Sequence, residues 1–169
     1  MSNNTPHKSD DRAAAGLRPV LTLERFLPYQ LNVLMEAVSG SLSKLYAGRY
    51  GLSVAEWRVV ATLGQYRSMT AKQIGVHSRM NKTMVSRAVG ALEERALVRR
   101  DRNARDRREA FLSLSGEGQA IYDDLAPQAA RFADSLLEAL GAEERIHFTQ
   151  MLRRLEERAN QIAAAGTSE

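Results

Sequence analysis

The stretch from Asn81 to Gly118 changes its hydrophobic period partway along, and few folds accommodate that change. Up to Leu97 the spacing is helical, with Met84, Val85, Ala88, Leu92 and Leu97 as inward positions. From Val98 it becomes extended. A charged turn is expected from Asp101 to Arg107, after which Ala110, Leu112 and Leu114 alternate with Phe111 and Ser113, as in a half-buried strand. Ser115 then caps a new helix. Helix, hairpin and helix in that order predict a winged helix-turn-helix. Asn81 is the expected N-cap, because its side-chain oxygen can accept from a free N–H of the first turn. Lys82, Thr83, Ser86 and Arg87 fall on the N-terminal, solvent side, where a helix seated in a major groove carries its reading side chains.

Charge points the same way. Between Thr70 and Arg108, eleven basic residues face four acidic ones, whereas the whole 169-residue chain carries a net charge of only +4. A cationic surface on a mildly acidic body is the electrostatic signature of a phosphate binder. Lys72, Arg79, Lys82 and the wing arginines are the expected phosphate contacts. Thr83, Ser86 and Arg87 are the expected base readers, with a salt bridge to the wing or a phosphate as the other role open to Arg87.

The flanking segments read as helices. Residues 1–21 are polar and expected to form a flexible tail. A long helix begins near Phe26, with Pro28 in its first turn and Leu27, Leu31, Leu34, Val38, Leu42 and Leu45 on one face. Ser53 and Glu56 form a capping box for a second helix, with Trp57, Val60 and Ala61 as core. Thr70 and Gln73 repeat it for a third, with Ile74 and Val76 buried. After the wing, a stripe from Ile121 to Leu140 contains Pro127, where a kink is expected, and Gly141 is read as its terminator. A last helix carries Phe148, Leu152, Leu155, Ala159 and Ile162. These terminal stripes exceed what a small winged domain can cover. A homodimer would bury them; an intrachain three-helix pack is the alternative. The expected fold class is therefore mainly α: a winged helix-turn-helix over 53–114, with 22–52 and 115–165 forming a helical dimerisation region.

Several function classes are set aside. The chain has no cysteine, which excludes disulfides, thiolate metal sites and thiol-based sensing by its own residues. His7, His77 and His147 show no ligand spacing, so no metal site is expected. No glycine-rich phosphate loop or catalytic constellation is found, Gly116 and Gly118 being read as a turn into a helix, so neither a cofactor nor an enzymatic activity is expected. Glu143, Glu144, Glu156 and Glu157 read as solvated faces paired with Arg153, Arg154 and Arg158. No apolar run approaches the roughly 20 residues needed to span a bilayer, and nothing resembles a signal peptide, so a cytoplasmic location is expected. A protein-interaction scaffold would need no basic wing. A winged nucleic-acid binder of low sequence specificity, without an effector, remains the second reading.

The same residues resemble the multiple-antibiotic-resistance regulator (MarR) family of bacterial transcription factors, over roughly Glu24 to Ala163. The family's Asp-x-Arg wing pattern is matched by Asp106-Arg107-Arg108, then AFLSL, then Ser115-Gly116-Glu117-Gly118. Its recognition-helix pattern is matched by Asn81-Lys82 and Val85-Ser86-Arg87, with Asn81 where many members have Asp. The resemblance implies a dimer built from the termini and binding of double-stranded DNA. It also implies an arginine in the minor groove. That residue is Arg108, steadied by Asp106, with Arg107 as the alternative reader and Arg105 beside them. Family members are commonly tuned by phenolic or other aromatic acids. Tyr29, Tyr46 and Trp57, large amphipathic residues on the first two helices, are accordingly candidate walls for a small aromatic carboxylate or its coenzyme A thioester. Arg58 is the cation that could meet the carboxylate. The plainer role of Trp57 is core packing, and of Arg58 pairing with a nearby acid.

Overall fold

The computed structural model describes residues 21–102 and 110–166. The chain divides into two compact units, residues 1–39 and 40–169, and the first long helix runs through the boundary.

A short 3-10 turn, Leu23–Arg25, precedes α1, Leu27–Tyr50. Pro28 sits in the first turn of α1, where its missing N–H costs nothing. Gly51 takes a positive φ of 60° just beyond the helix end. α2 spans Val54–Tyr66 and opens with the expected box: Ser53 Oγ accepts from the Glu56 N–H at 3.3 Å, and the Glu56 carboxylate accepts from the Ser53 N–H at 2.7 Å. The Thr70–Gln73 box opens α3, Ala71–Ser78, in the same way. α4 is Lys82–Glu94, and α5 and α6 are Gly116–Leu137 and Ala142–Ala165. α5 continues as one helix through Pro127.

Three short strands form an antiparallel sheet in the order β1-β3-β2: β1 Ser68–Thr70, β2 Val98–Arg102 and β3 Ala110–Leu114. β2 and β3 are the expected hairpin, although β2 takes in Asp101 and Arg102, which the sequence assigned to the turn. β1 was not expected. Three residues are too few to show a period, and Thr70 also serves as the N-cap of α3.

The core lies in the second unit, among α2, α3, α4, the sheet and α5. Val60, Ile74, Val85, Ala88, Leu92 and Leu97 are buried as expected, and Val59, Leu63 and Val89 join them. Two expected core residues are exposed instead: Val76 at 63 % and Met84 at 42 %. Helix geometry explains both. Val76 follows Ile74 by two positions, so it points to the opposite side of α3. On α4 the buried set is Val85, Ala88, Val89 and Leu92, and Met84 lies off that stripe.

Two glycines serve roles different from those the sequence suggested. Gly141 does not end α5; Glu138 is its C-cap, and Gly141 is the N-cap of α6, its N–H donating to the Glu144 carboxylate at 2.7 Å. Gly118 lies inside the first turn of α5. A side chain there would collide with the backbone carbonyl of Leu97, so close approach, not a turn, demands glycine. Gly64 likewise lets α2 lie against the Tyr122 ring of α5.

Along α1 and α6 the apolar stripes face outward. Leu31, Leu34, Leu152 and Leu155 are between 42 % and 51 % exposed. No helix among the described residues is long and apolar enough to cross a membrane.

Candidate nucleic-acid interface

α3, a tight turn and α4 build the helix-turn-helix. The turn is made by Arg79 in the left-handed region, at φ 54°, followed by buried Met80 and the Asn81 cap. Asn81 Oδ1 accepts from the Met84 N–H at 2.9 Å, as the sequence predicted. Lys82, Thr83, Ser86 and Arg87 are all exposed along the first two turns of α4. The opposite face of α4 is locked into the core, so these four side chains are presented by a rigid element.

Beside them a cleft of about 640 Å³ runs between α3 and α4. Lys72, Lys82, Ser86 and Arg100 supply its polar rim, while Val76, Met80 and Val85 supply apolar wall. The helical spacing that exposes Val76 therefore places it in this cleft. Lys72 and Lys82 in one groove, next to the positive end of α4, make a seat for anionic backbone.

Arg79, an expected phosphate contact, donates to Glu156 of α6 at 2.6 Å. Glu156 thus pairs across elements and not, as expected, with a neighbouring arginine of its own helix. Both side chains are more than half exposed, so the pair is weak and a phosphate can displace it.

Sequence reading missed the part played by Arg100. Its Nε and Nη2 donate to the two carboxylate oxygens of Glu93 at 2.7 and 2.9 Å. The pairing holds the Glu93 carboxyl below the ordinary glutamate range and raises the Arg100 guanidinium. The available signal was parity: Val98 and Arg100 share the inward face of β2, opposite Leu114 and Leu112. Arg95, the C-cap of α4, reaches the end of α1, donating to the Tyr50 carbonyl at 2.6 Å and the Gly51 carbonyl at 3.4 Å. The expected wing-tip residues Arg105, Asp106, Arg107 and Arg108 lie outside the described residues.

Of the expected effector residues, Tyr46, Trp57 and Arg58 come together. The Tyr46 ring stacks on Trp57 with centroids 5.6 Å apart and planes 21° from parallel. Both are core residues. Burial pushes the Tyr46 hydroxyl pKa up, and the charge of half-buried Arg58 opposes it. Tyr29 is exposed on the part of α1 that belongs to the first unit.

A rigid helix presenting polar side chains, a cationic cleft and a following hairpin define a winged helix-turn-helix DNA-binding protein. Comparison with known proteins narrows the class. Residues 52–110 match the model of the MarR family. The uncharacterised HTH-type transcriptional regulator YwoH of Bacillus subtilis (strain 168) is 28 % identical over 131 residues, covering 78 % of this chain and 94 % of that protein. The crystal structure of a MarR-family transcriptional regulator from Silicibacter pomeroyi superposes with a TM-score of 0.67 at 28 % identity, covering 79 % of this chain and 90 % of that one. Residues 52–110 thus carry a MarR-family domain, and the chain is similar to transcriptional regulators of that family. NadR, solved in complex with 4-hydroxyphenylacetate, shares the fold, with a TM-score of 0.67 at 20 % identity over 82 % of this chain and 97 % of that one.

Proposed function

We propose that this regulator is a repressor that binds a pseudo-palindromic DNA operator as a homodimer and is tuned by a small aromatic acid or its thioester. The observation that carries the DNA reading is the cleft rimmed by Lys72 and Lys82 beside the exposed face of α4. In this reading Lys72, Lys82 and Arg79 meet phosphates and set register, while Thr83, Ser86 and Arg87 meet base edges. Arg108, steadied by Asp106, enters the minor groove, with Arg107 as the alternative reader and Arg105 among the wing arginines that meet phosphate. Residues 53–114 read DNA, and 22–52 with 115–165 pair the subunits. The outward apolar faces of α1 and α6 support the pairing, because water contact with leucine rows of this kind is unfavourable.

The effector site in this reading is built on the stacked Tyr46–Trp57 pair, with Arg58 as counter-charge. NadR, which shares the fold, binds 4-hydroxyphenylacetate, a phenolic acid whose ring and carboxylate suit such a site. Because both aromatic residues are packed in the core, ligand entry requires them to part, and that movement couples the site to the start of α2. A ligand that prefers the parted state lowers or raises DNA affinity by its preference, and DNA changes ligand affinity by the same factor. The experiment is calorimetry with 4-hydroxyphenylacetate, other aromatic acids and their coenzyme A thioesters, with and without bound operator. A roughly 5- to 150-fold difference in ligand affinity between the two states supports the proposal. Equal affinity in both rules a compound out as effector, and no binding by any of them overturns the effector half of the proposal.

A further inference from the structure

Glu93 is out of place for a DNA-facing element. It is an acid near the end of the recognition helix, and its partner Arg100 lines the cationic cleft. A carboxylate there repels phosphate, so its presence calls for another role. The geometry supplies one. α4 passes into β2 through only three residues, Arg95 to Leu97, with Ala96 in the left-handed region at φ 56°. On the backbone side the joint is tied by two hydrogen bonds, Ala96 N–H to the Glu93 carbonyl and Leu97 N–H to the Leu92 carbonyl, each 2.9 Å. On the side-chain side it is tied by the two-pronged Glu93–Arg100 pair. Arg100 reaches this position because it shares the inward face of β2 with buried Val98. The strand beyond it leads directly to the segment carrying Arg105 to Arg108.

We propose that Glu93 and Arg100 form a brace that holds the β2–β3 hairpin at one angle to the recognition helix, making Glu93 a positioning residue for DNA reading. The base of the hairpin is held by β1 and the core, but without the brace its outer end, beyond the pairing with β1, can shift, and the major-groove and wing contacts cease to be made together. In this role Arg100 is not primarily a phosphate contact: Nε and Nη2, the edge that would grip a phosphate with two parallel bonds, are occupied by Glu93. The inference rests on the reading of the wing as a DNA contact.

The test uses the full chain and a duplex selected by the parent protein from a random pool. Glu93→Gln, Arg100→Gln and the exchange Glu93→Arg with Arg100→Glu are compared for affinity, hydroxyl-radical footprint and melting. Glu93→Gln removes a negative charge, so bulk electrostatics predicts tighter binding to any DNA. The brace predicts the opposite sign for the selected duplex: a loss of about fivefold, the order one surface pair supplies. Binding to random duplex is unchanged or tighter. Protection weakens on the flanks under the wings and persists in the central major grooves, and the exchange returns affinity to near the parent's. Glu93→Gln with parental affinity and intact flank protection overturns the brace. So does an exchange that binds no better than Arg100→Gln, which would make Arg100 a direct DNA contact. An equal loss on selected and random duplex with a lowered melting temperature reduces Glu93 to a stability role. A parent footprint without flank protection overturns the wing reading itself and the brace with it, an outcome distinct from the others.

Discussion

Tyr50 donates its phenolic hydroxyl to the carboxylate of Asp124 at 2.8 Å, tying the last turn of α1 to the middle of α5. The same oxygen of Asp124 accepts from Arg49 at 2.9 Å and from the Gln128 side chain at 3.0 Å. One carboxylate therefore ties the C-terminal end of α1 to α5. Arg95 at the end of α4 also donates to the Tyr50 carbonyl, so side chains from α4 and α5 both hold this end of α1.

Asp124→Ala removes one acceptor from three donors at once, whereas Tyr50→Phe removes a single donor. We expect Asp124→Ala to lower the melting temperature clearly more than Tyr50→Phe does, because several polar groups then lose their partner. Differential scanning calorimetry on both variants checks this. Equal melting temperatures for the two would show that the carboxylate does not organise the junction.

Backbone conformation gives a pair of opposite predictions. Gly118→Ala drives a methyl group into the Leu97 carbonyl and should destabilise by about 1–3 kcal/mol, as overpacking at a rigid site does. Ala96→Gly relieves a left-handed alanine and should stabilise by roughly 1 kcal/mol. Chemical denaturation of the two variants reads both signs. A stabilised Gly118→Ala would mean that α5 approaches Leu97 less closely than the structure shows.

These two positions also show where sequence reading stops. The helix caps at Ser53, Thr70 and Asn81 and the strand alternation from Ala110 were legible because each is encoded within a few residues. Gly118 was read as a turn residue because its true constraint, the Leu97 carbonyl, lies 21 residues earlier in the chain. The left-handed residues Arg67, Arg79 and Ala96 carry no glycine or asparagine to announce them. At the interface, the exposed face of α4 was legible from its helical period. The pairs Arg79–Glu156 and Arg100–Glu93 were not, because each joins elements whose juxtaposition only the fold decides. Val76 was assigned to the core on residue type, against its position on the helix.

The Glu93–Arg100 pair has a pH signature. Arg100 holds the Glu93 carboxyl below the ordinary glutamate range, so the folded state favours the carboxylate. Its contribution to stability is present above the unfolded-state pKa and is lost as pH falls through the folded-state value. A carbon-detected NMR titration should show Glu93 ionising below the ordinary glutamate range, and Arg100→Gln should return it toward that range. Identical titration of Glu93 in parent and variant would contradict the pairing.

For the oligomeric state, we expect a homodimer at micromolar concentration. Leu152→Glu together with Leu155→Glu should convert it to monomer or aggregate and abolish operator binding, because charges would enter the apolar α6 stripe. Truncation after Gly141 should likewise give aggregated or unfolded chain. Sedimentation velocity distinguishes the outcomes. A well-folded, soluble monomer from the truncation would contradict pairing through the terminal helices.

The most direct measurement is selection of bound duplexes from a random pool by the parent protein and by Arg87→Ala. The account predicts a two-fold symmetric consensus with half-sites about 10 base pairs apart, centre to centre. It predicts a preference of roughly 10³ or more over random DNA at physiological salt. Arg87→Ala should relax one symmetric pair of positions by about 1–3 kcal/mol per site and leave the rest of the consensus intact. A pool that yields no consensus, or one without two-fold symmetry, would contradict the account and leave a winged protein that binds nucleic acid with little regard to sequence.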